Sequence, residues 1–72
     1  MKKTYKMIDL ECAHCAAKME TAIQKLDGVT NASVNFLTQK LTLDAEDDRL
    51  DAILDEAERI IKKIEPDCVL QR

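Results

Sequence analysis

A chain of 72 residues makes a single domain, residues 1–72, and buries only about 60% of its unfolded surface, so its core is small. Its net charge is −3, from 14 acidic and 11 basic residues, with one Phe, one Tyr and no Trp; that excludes the basic face and aromatic platform of a nucleic-acid binder. No apolar run approaches the roughly 20 residues that span a bilayer, so no direct membrane insertion is expected.

The N-terminal MKKTYKMIDL lacks an apolar h-region and a small-residue cleavage site, which predicts no signal peptide and a cytoplasmic chain with reduced thiols. Three cysteines, an odd number, also argue against a disulfide framework. TYKMIDL is predicted as a first strand, with either Met7 or Ile8 toward the core. A first helix is predicted from about His14 to Asp27, because Cys15, Met19, Ala22, Ile23 and Leu26 share one face. Gly28, the only glycine, suits the left-handed position after the helix. This phase turns Cys15 partly inward and leaves Cys12, ahead of the helix, more exposed.

VTNASVNFL then alternates, Ala32, Val34 and Phe36 against Asn31, Ser33 and Asn35, and KLTL places Leu41 and Leu43 inward. These predict two strands joined near Leu37-Thr38-Gln39. A second helix is the clearest element: Leu50, Ile53, Leu54, Ala57, Ile60, Ile61 and Ile64 form one stripe. Asp47 or Asp48 is expected to cap its start, Asp51 lies in the first turn, and Arg59, Lys62 and Lys63 suit its C-terminal end. Pro66 stops it and pushes Glu65 out of the helical region, and DCVL is a short last strand. The acid-rich run DAEDDRLDAILDE fits a solvated helix start; it lacks the glycine and glutamate spacing of an EF-hand loop. The order β-α-β-β-α-β predicts an α+β, ferredoxin-like sandwich, with two helices on one face of a four-stranded antiparallel sheet.

LECAHCAA places Cys12 and Cys15 at the junction of the first strand and the first helix. Free N–H groups and the positive end of the helix dipole favour thiolate there, and thiolate is the form that binds metal. Two intervening residues let both sulfurs converge on one ion. A closed structural zinc site needs four ligands, commonly two such pairs, and one pair is present. A thioredoxin-like dithiol is the enzymatic alternative, although the chain is short for that fold and Ala13-His14 is not its usual intervening pair. Met7 and Met19 are expected to fill the core.

LECAHCAAKMETAIQKLDGVTNASVNF resembles the heavy-metal-associated domain, and the resemblance covers essentially the whole chain. Within that family, CAHCAAKME, VNFLTQKLTL, IEPDC and the acid before the first cysteine look most like the N-terminal domains of bacterial zinc/cadmium/lead-transporting P-type ATPases. Copper members of the family usually have Met-Thr or Met-Ser where this chain has Leu10-Glu11. The resemblance implies a non-enzymatic metal-handling domain at the cytosolic face of a membrane. Its partners would be the cytosolic domains or membrane entry site of a metal-transporting ATPase, or a metal chaperone.

Two thiolates alone suit linear Cu(I), whereas a divalent ion seeks more ligands and zinc accepts carboxylate oxygen. The expected site is therefore Cys12, Cys15 and Glu11 holding Zn(II), with Cd(II) or Pb(II) also accommodated; alternatively Glu11 serves only as an anion near the helix N-terminus. His14 is a further candidate ligand or a solvated side chain. Cys68, after the turn that follows the second helix, is a candidate additional thiol or a core residue. A free-standing Cu(I) chaperone is the alternative function.

Overall fold

A computed structural model describes residues 2–72. In order along the chain come β1 (Lys2–Ile8), α1 (Ala13–Gln24), β2 (Val29–Asn35), β3 (Lys40–Ala45), a 3-10 turn (Asp47–Arg49), α2 (Leu50–Ile64) and β4 (Val69–Gln71). The strands lie side by side as β2-β3-β1-β4, every neighbouring pair antiparallel. Both helices cover one face, giving the ferredoxin-like α+β sandwich that the alternation of elements predicts. This topology brings the β1–α1 loop, the β2–β3 turn and the α2–β4 turn to one end of the molecule.

Strand alternation decides the one open choice in β1. Met7 is 1% exposed and Ile8 39%, so odd positions of β1 face the helices. Ala32 of β2, Leu41 and Leu43 of β3 and Leu70 of β4 join Met7. From the helices, Ala16, Met19 and Ile23 of α1 and Ile53, Leu54, Ala57 and Ile61 of α2 close the core. No charged or polar side chain of the described residues is buried in it.

Three local expectations are corrected. The first helix ends at Gln24 rather than Asp27; a tighter turn follows, with Leu26 N–H donating to the Ile23 carbonyl and Val29 N–H to that of Leu26. Gly28 does take a positive φ of 91°, but in the turn entering β2, not directly after the helix. At α2, neither Asp47 nor Asp48 caps the helix. Both sit in the 3-10 turn, the cap position is Arg49, and no side-chain capping bond forms. Arg49 instead reaches back to Asp27 at 3.0 Å.

Gly28 is where this corner is most sensitive. A Cβ there would stand 3.0 Å from Arg49 Cδ and 3.3 Å from Ile53 Cδ1, on a backbone that L-residues rarely adopt. Gly28→Ala is expected to lower stability by roughly 1–3 kcal/mol, read as a lower urea midpoint with unchanged slope. An unchanged midpoint would show that the turn relaxes freely.

Candidate metal-binding site

Asp9, with φ of 61°, turns the chain out of β1; aspartate is among the residues that tolerate this left-handed conformation. Leu10 then returns to the core and is fully buried. Glu11 is exposed, and Cys12 occupies the N-cap of α1 in an extended conformation. Its Sγ accepts the Cys15 N–H at 3.2 Å, while its carbonyl accepts the Ala16 N–H at 3.0 Å. A sulfur thus fills the place that a serine or aspartate oxygen usually takes. The first sulfur of the pair is therefore fixed by the fold before any ion arrives.

Neighbouring turns hold the loop from two more sides. Gln39 donates its Nε2 to the Leu10 carbonyl at 2.7 Å, and its own carbonyl accepts the Met7 N–H at 2.8 Å. Glu11 N–H donates to Glu65 Oε1 at 3.3 Å. The β2–β3 turn and the α2–β4 turn are both tied to the segment that carries the cysteines.

The two thiols differ electrostatically. A hydrogen bond from the Cys15 side chain, then the Cys15 N–H, lowers the Cys12 pKa from its ordinary value. Cys15 is raised, first by sharing its proton with Cys12 and then by burial. Cys12 is thus the more acidic thiol of the pair and Cys15 the less acidic. Both side chains are half-buried, and Cys15 packs against the core, as the helix phase predicts. Partial access suits a site that loads and unloads.

The main residue that sequence reasoning missed is Glu65. Pro66 ends α2, and Glu65 takes φ of −140° at its cap, which swings the side chain toward the metal loop. One oxygen accepts the Glu11 N–H; the other, Oε2, is buried with no hydrogen-bond partner among the described residues. The Glu65 charge works against ionisation of all three cysteines, behind burial at Cys68, behind the Cys12 hydrogen bond and burial at Cys15, and without reversing the lowering at Cys12. The only sequence signal was the pre-proline position at the correct end of the fold, visible once the topology is known.

The remaining candidates are dispersed. His14 is exposed on the first turn of α1. Cys68 is fully buried, its N–H donating to the Glu65 carbonyl at 3.0 Å. Met7 and Met19 fill the core. Among the described residues, no three His, Cys, Asp or Glu side chains are gathered as a metal cage. Two sulfurs stand together, with carboxylates of Glu11 and Glu65 on the adjoining loops.

Burial pushes the Cys68 thiol up from 9.0 to about 11. An acid whose pKa is raised by folding contributes fully below its unfolded pKa, and that contribution fades as pH rises toward the folded value. Stability is therefore expected to fall between pH 9 and 11 by about 2–3 kcal/mol. Cys68→Ala should flatten this limb of a urea-midpoint-against-pH curve. An equally steep limb in the variant would assign the loss to other groups.

Comparison with known proteins agrees with this geometry. The heavy-metal-associated domain profile matches residues 4–69. The zinc/cadmium/lead-transporting P-type ATPase of Escherichia coli is 42% identical over 45 residues, 62% of this chain and 6% of that protein. The chain therefore spans a small fraction of that transporter. Among solved structures, the N-terminal domain of ZntA in its Zn(II) form is 31% identical with a TM-score of 0.71, covering 97% of this chain and 88% of that one. The N-terminal domain of a potential copper-translocating P-type ATPase from Bacillus subtilis, in the Cu(I)-loaded state, is 26% identical with a TM-score of 0.75, covering 97% and 82%. No helix among the described residues is long and apolar enough to cross a membrane.

Proposed function

The chain belongs to the heavy-metal-associated domain family, a metal-binding module and not a catalyst, and from that premise we propose that it carries a divalent thiophilic ion, Zn(II) foremost and Cd(II) or Pb(II) by the same chemistry. Cys12 and Cys15 supply the sulfurs, and a carboxylate completes the charge balance. One observation carries this choice: Glu65 has a buried, unpartnered oxygen, and its charge opposes ionisation of both thiols, as a lesser contribution at each and without outweighing the hydrogen bonds that lower Cys12. A negative group that opposes thiolate formation in the free protein is relieved when a doubly charged cation arrives. Two thiolates and one carboxylate bring three negative charges to two positive ones; a singly charged ion would leave an excess of two.

Glu65 joins Glu11 as the candidate third ligand, and the long 3.3 Å bond between them is a weak contact to exchange for a cation. With an incomplete shell, a partner's donors enter before the first ligands leave. The ion then passes without release to water, in the direction set by relative affinity. The donor or acceptor would be a metal chaperone, or the cytosolic domains or membrane entry site of a metal-transporting ATPase, with the domain at the cytosolic face.

Glu65→Gln and Glu11→Gln, each titrated with Zn(II) and Cu(I) under chelator competition, separate the possibilities. The ligating carboxylate should lose about 10- to 100-fold in Zn(II) affinity, with Cu(I) affinity unchanged. Indifference of Zn(II) to both substitutions would overturn the divalent assignment. Among the described residues only two sulfurs are gathered, which supports Cu(I) carriage as the second reading, since two sulfurs satisfy that ion. Catalytic turnover in a disulfide-reduction assay, without zinc binding, would instead establish dithiol oxidoreduction.

A further inference from the structure

The face of the sheet opposite the helices carries a mixed patch that metal binding does not use. Strand register aligns Asn35 with Lys40, Lys40 with Lys6, and Lys6 with Gln71, one residue from each strand. Alternation with buried Met7, Leu41 and Leu70 turns Lys6, Lys40 and Gln71 outward. Two lysines therefore occupy directly opposite positions on one face, a like-charge pairing that is destabilising by itself. Among the described residues, neither has an ion-pair or hydrogen-bond partner. The next row, Ser33, Thr42 and Thr4, contains no acid.

Beside the lysines, toward the metal-loop end, Ile8 pairs with Val69 across β1 and β4. They are 39% and 41% exposed, two of the three exposed large apolar side chains among the described residues. A cationic pair next to an apolar pair recognises a ligand with both features.

We propose that this patch docks a short acidic protein segment, its carboxylates at Lys6 and Lys40 and an apolar side chain on Ile8 and Val69. Charge favours a segment over an anionic lipid surface. The domain is net −3, so an extended negative plane would also meet acids such as Asp9 and Asp67 at the same end, and two lysines give little attachment to lipid. Because the patch faces away from α1, docking leaves the Cys12 and Cys15 side accessible. A partner could be held while the ion is exchanged, and the patch stands whether the cargo is Zn(II) or Cu(I).

The test is NMR titration of the isotope-labelled protein with an acetylated peptide of four glutamates and two leucines. Inorganic phosphate and phosphatidylserine vesicles serve as comparison probes. Shifts are expected at Lys6, Ile8, Lys40 and Val69, and should vanish at about 1 M salt, where the screening length is about 3 Å. Lys6→Glu with Lys40→Glu should weaken the peptide about tenfold or more, and Ile8→Ser should weaken it without changing the salt dependence. Zn(II) affinity should stay unchanged in both variants. No shifts, shifts centred on the helices, phosphate acting as well as the peptide, or tighter binding to vesicles would each overturn the proposal. Lys6→Gln with Lys40→Gln, expected to give an intermediate loss, guards against misfolding of the charge-reversed protein.

Discussion

Cys12→Ser with Cys15→Ser is expected to abolish stoichiometric Zn(II) binding while leaving the domain folded. Serine is the informative replacement because Cys12 is an N-cap residue whose sulfur accepts the Cys15 N–H. A hydroxyl preserves that cap, whereas alanine would forfeit about 1 kcal/mol and blur loss of metal with loss of helix. Structural zinc sites gain about 10–16 kcal/mol from four ligands. Removing two sulfurs therefore predicts a loss on the order of 10³-fold or more in affinity. Chelator competition reads the affinity, and circular dichroism with a urea midpoint reads the fold. Retained tight binding in the double variant would move the site elsewhere and remove the basis of the proposed function.

The single variants should differ because the two sulfurs differ. The hydrogen bond from the Cys15 side chain, then the Cys15 N–H, makes Cys12 the more acidic thiol, and the same shared proton and burial make Cys15 the less acidic. On the proposed function, loss of Cys12 would remove the more acidic of the two sulfurs. Loss of Cys15 would remove the less acidic one, which has the stronger hold on its proton. Proton release on zinc binding, followed by titration in weakly buffered solution, should therefore drop more in Cys15→Ser.

Periodicity makes most of this fold legible. The stripe from Leu50 to Ile64 predicts α2 to within a residue at its C-terminal end, and the alternation around Ala32 and Leu41 predicts the central hairpin. What periodicity does not carry is the behaviour of ends. Asp47 and Asp48 are good capping residues by type, yet the chain spends them in a 3-10 turn and starts α2 at Leu50. Gly28 signals a positive φ correctly but not its position, since the turn after α1 takes four residues rather than one.

For the site, the spacing of Cys12 and Cys15 and the place of Cys12 before the helix are local, so the sequence reveals them. Glu65 lies 54 positions from Glu11, and only the folded topology brings the α2–β4 turn onto the metal loop. Cys68 shows the reverse. Its nearness in topology invites a role as ligand, and the sequence does not reveal that the side chain is fully buried. Binding it to an ion would require opening the core.

Leu10→Ala should be the most damaging single substitution near the site, and for two separable reasons. Leu10 is fully buried although it belongs to a loop. Truncation costs about 2–5 kcal/mol, set against a total of about 4–11 kcal/mol for a domain of this size, so a large fraction of stability is at stake. The same side chain also pins the segment that positions Cys12, while its carbonyl takes the Gln39 amide at 2.7 Å. Leu41→Ala removes an equally buried leucine from β3, and it serves as the comparison. Both variants should show similar drops in urea midpoint. In the cold, where both remain folded, only Leu10→Ala should lose metal affinity. Re-ordering one freed loop residue costs about 1–2 kcal/mol, which predicts a five- to thirtyfold weaker Zn(II) site. Equal zinc affinity in the two folded variants would mean that the ion itself orders the loop at no cost, and that the preformed N-cap sulfur contributes nothing to capture.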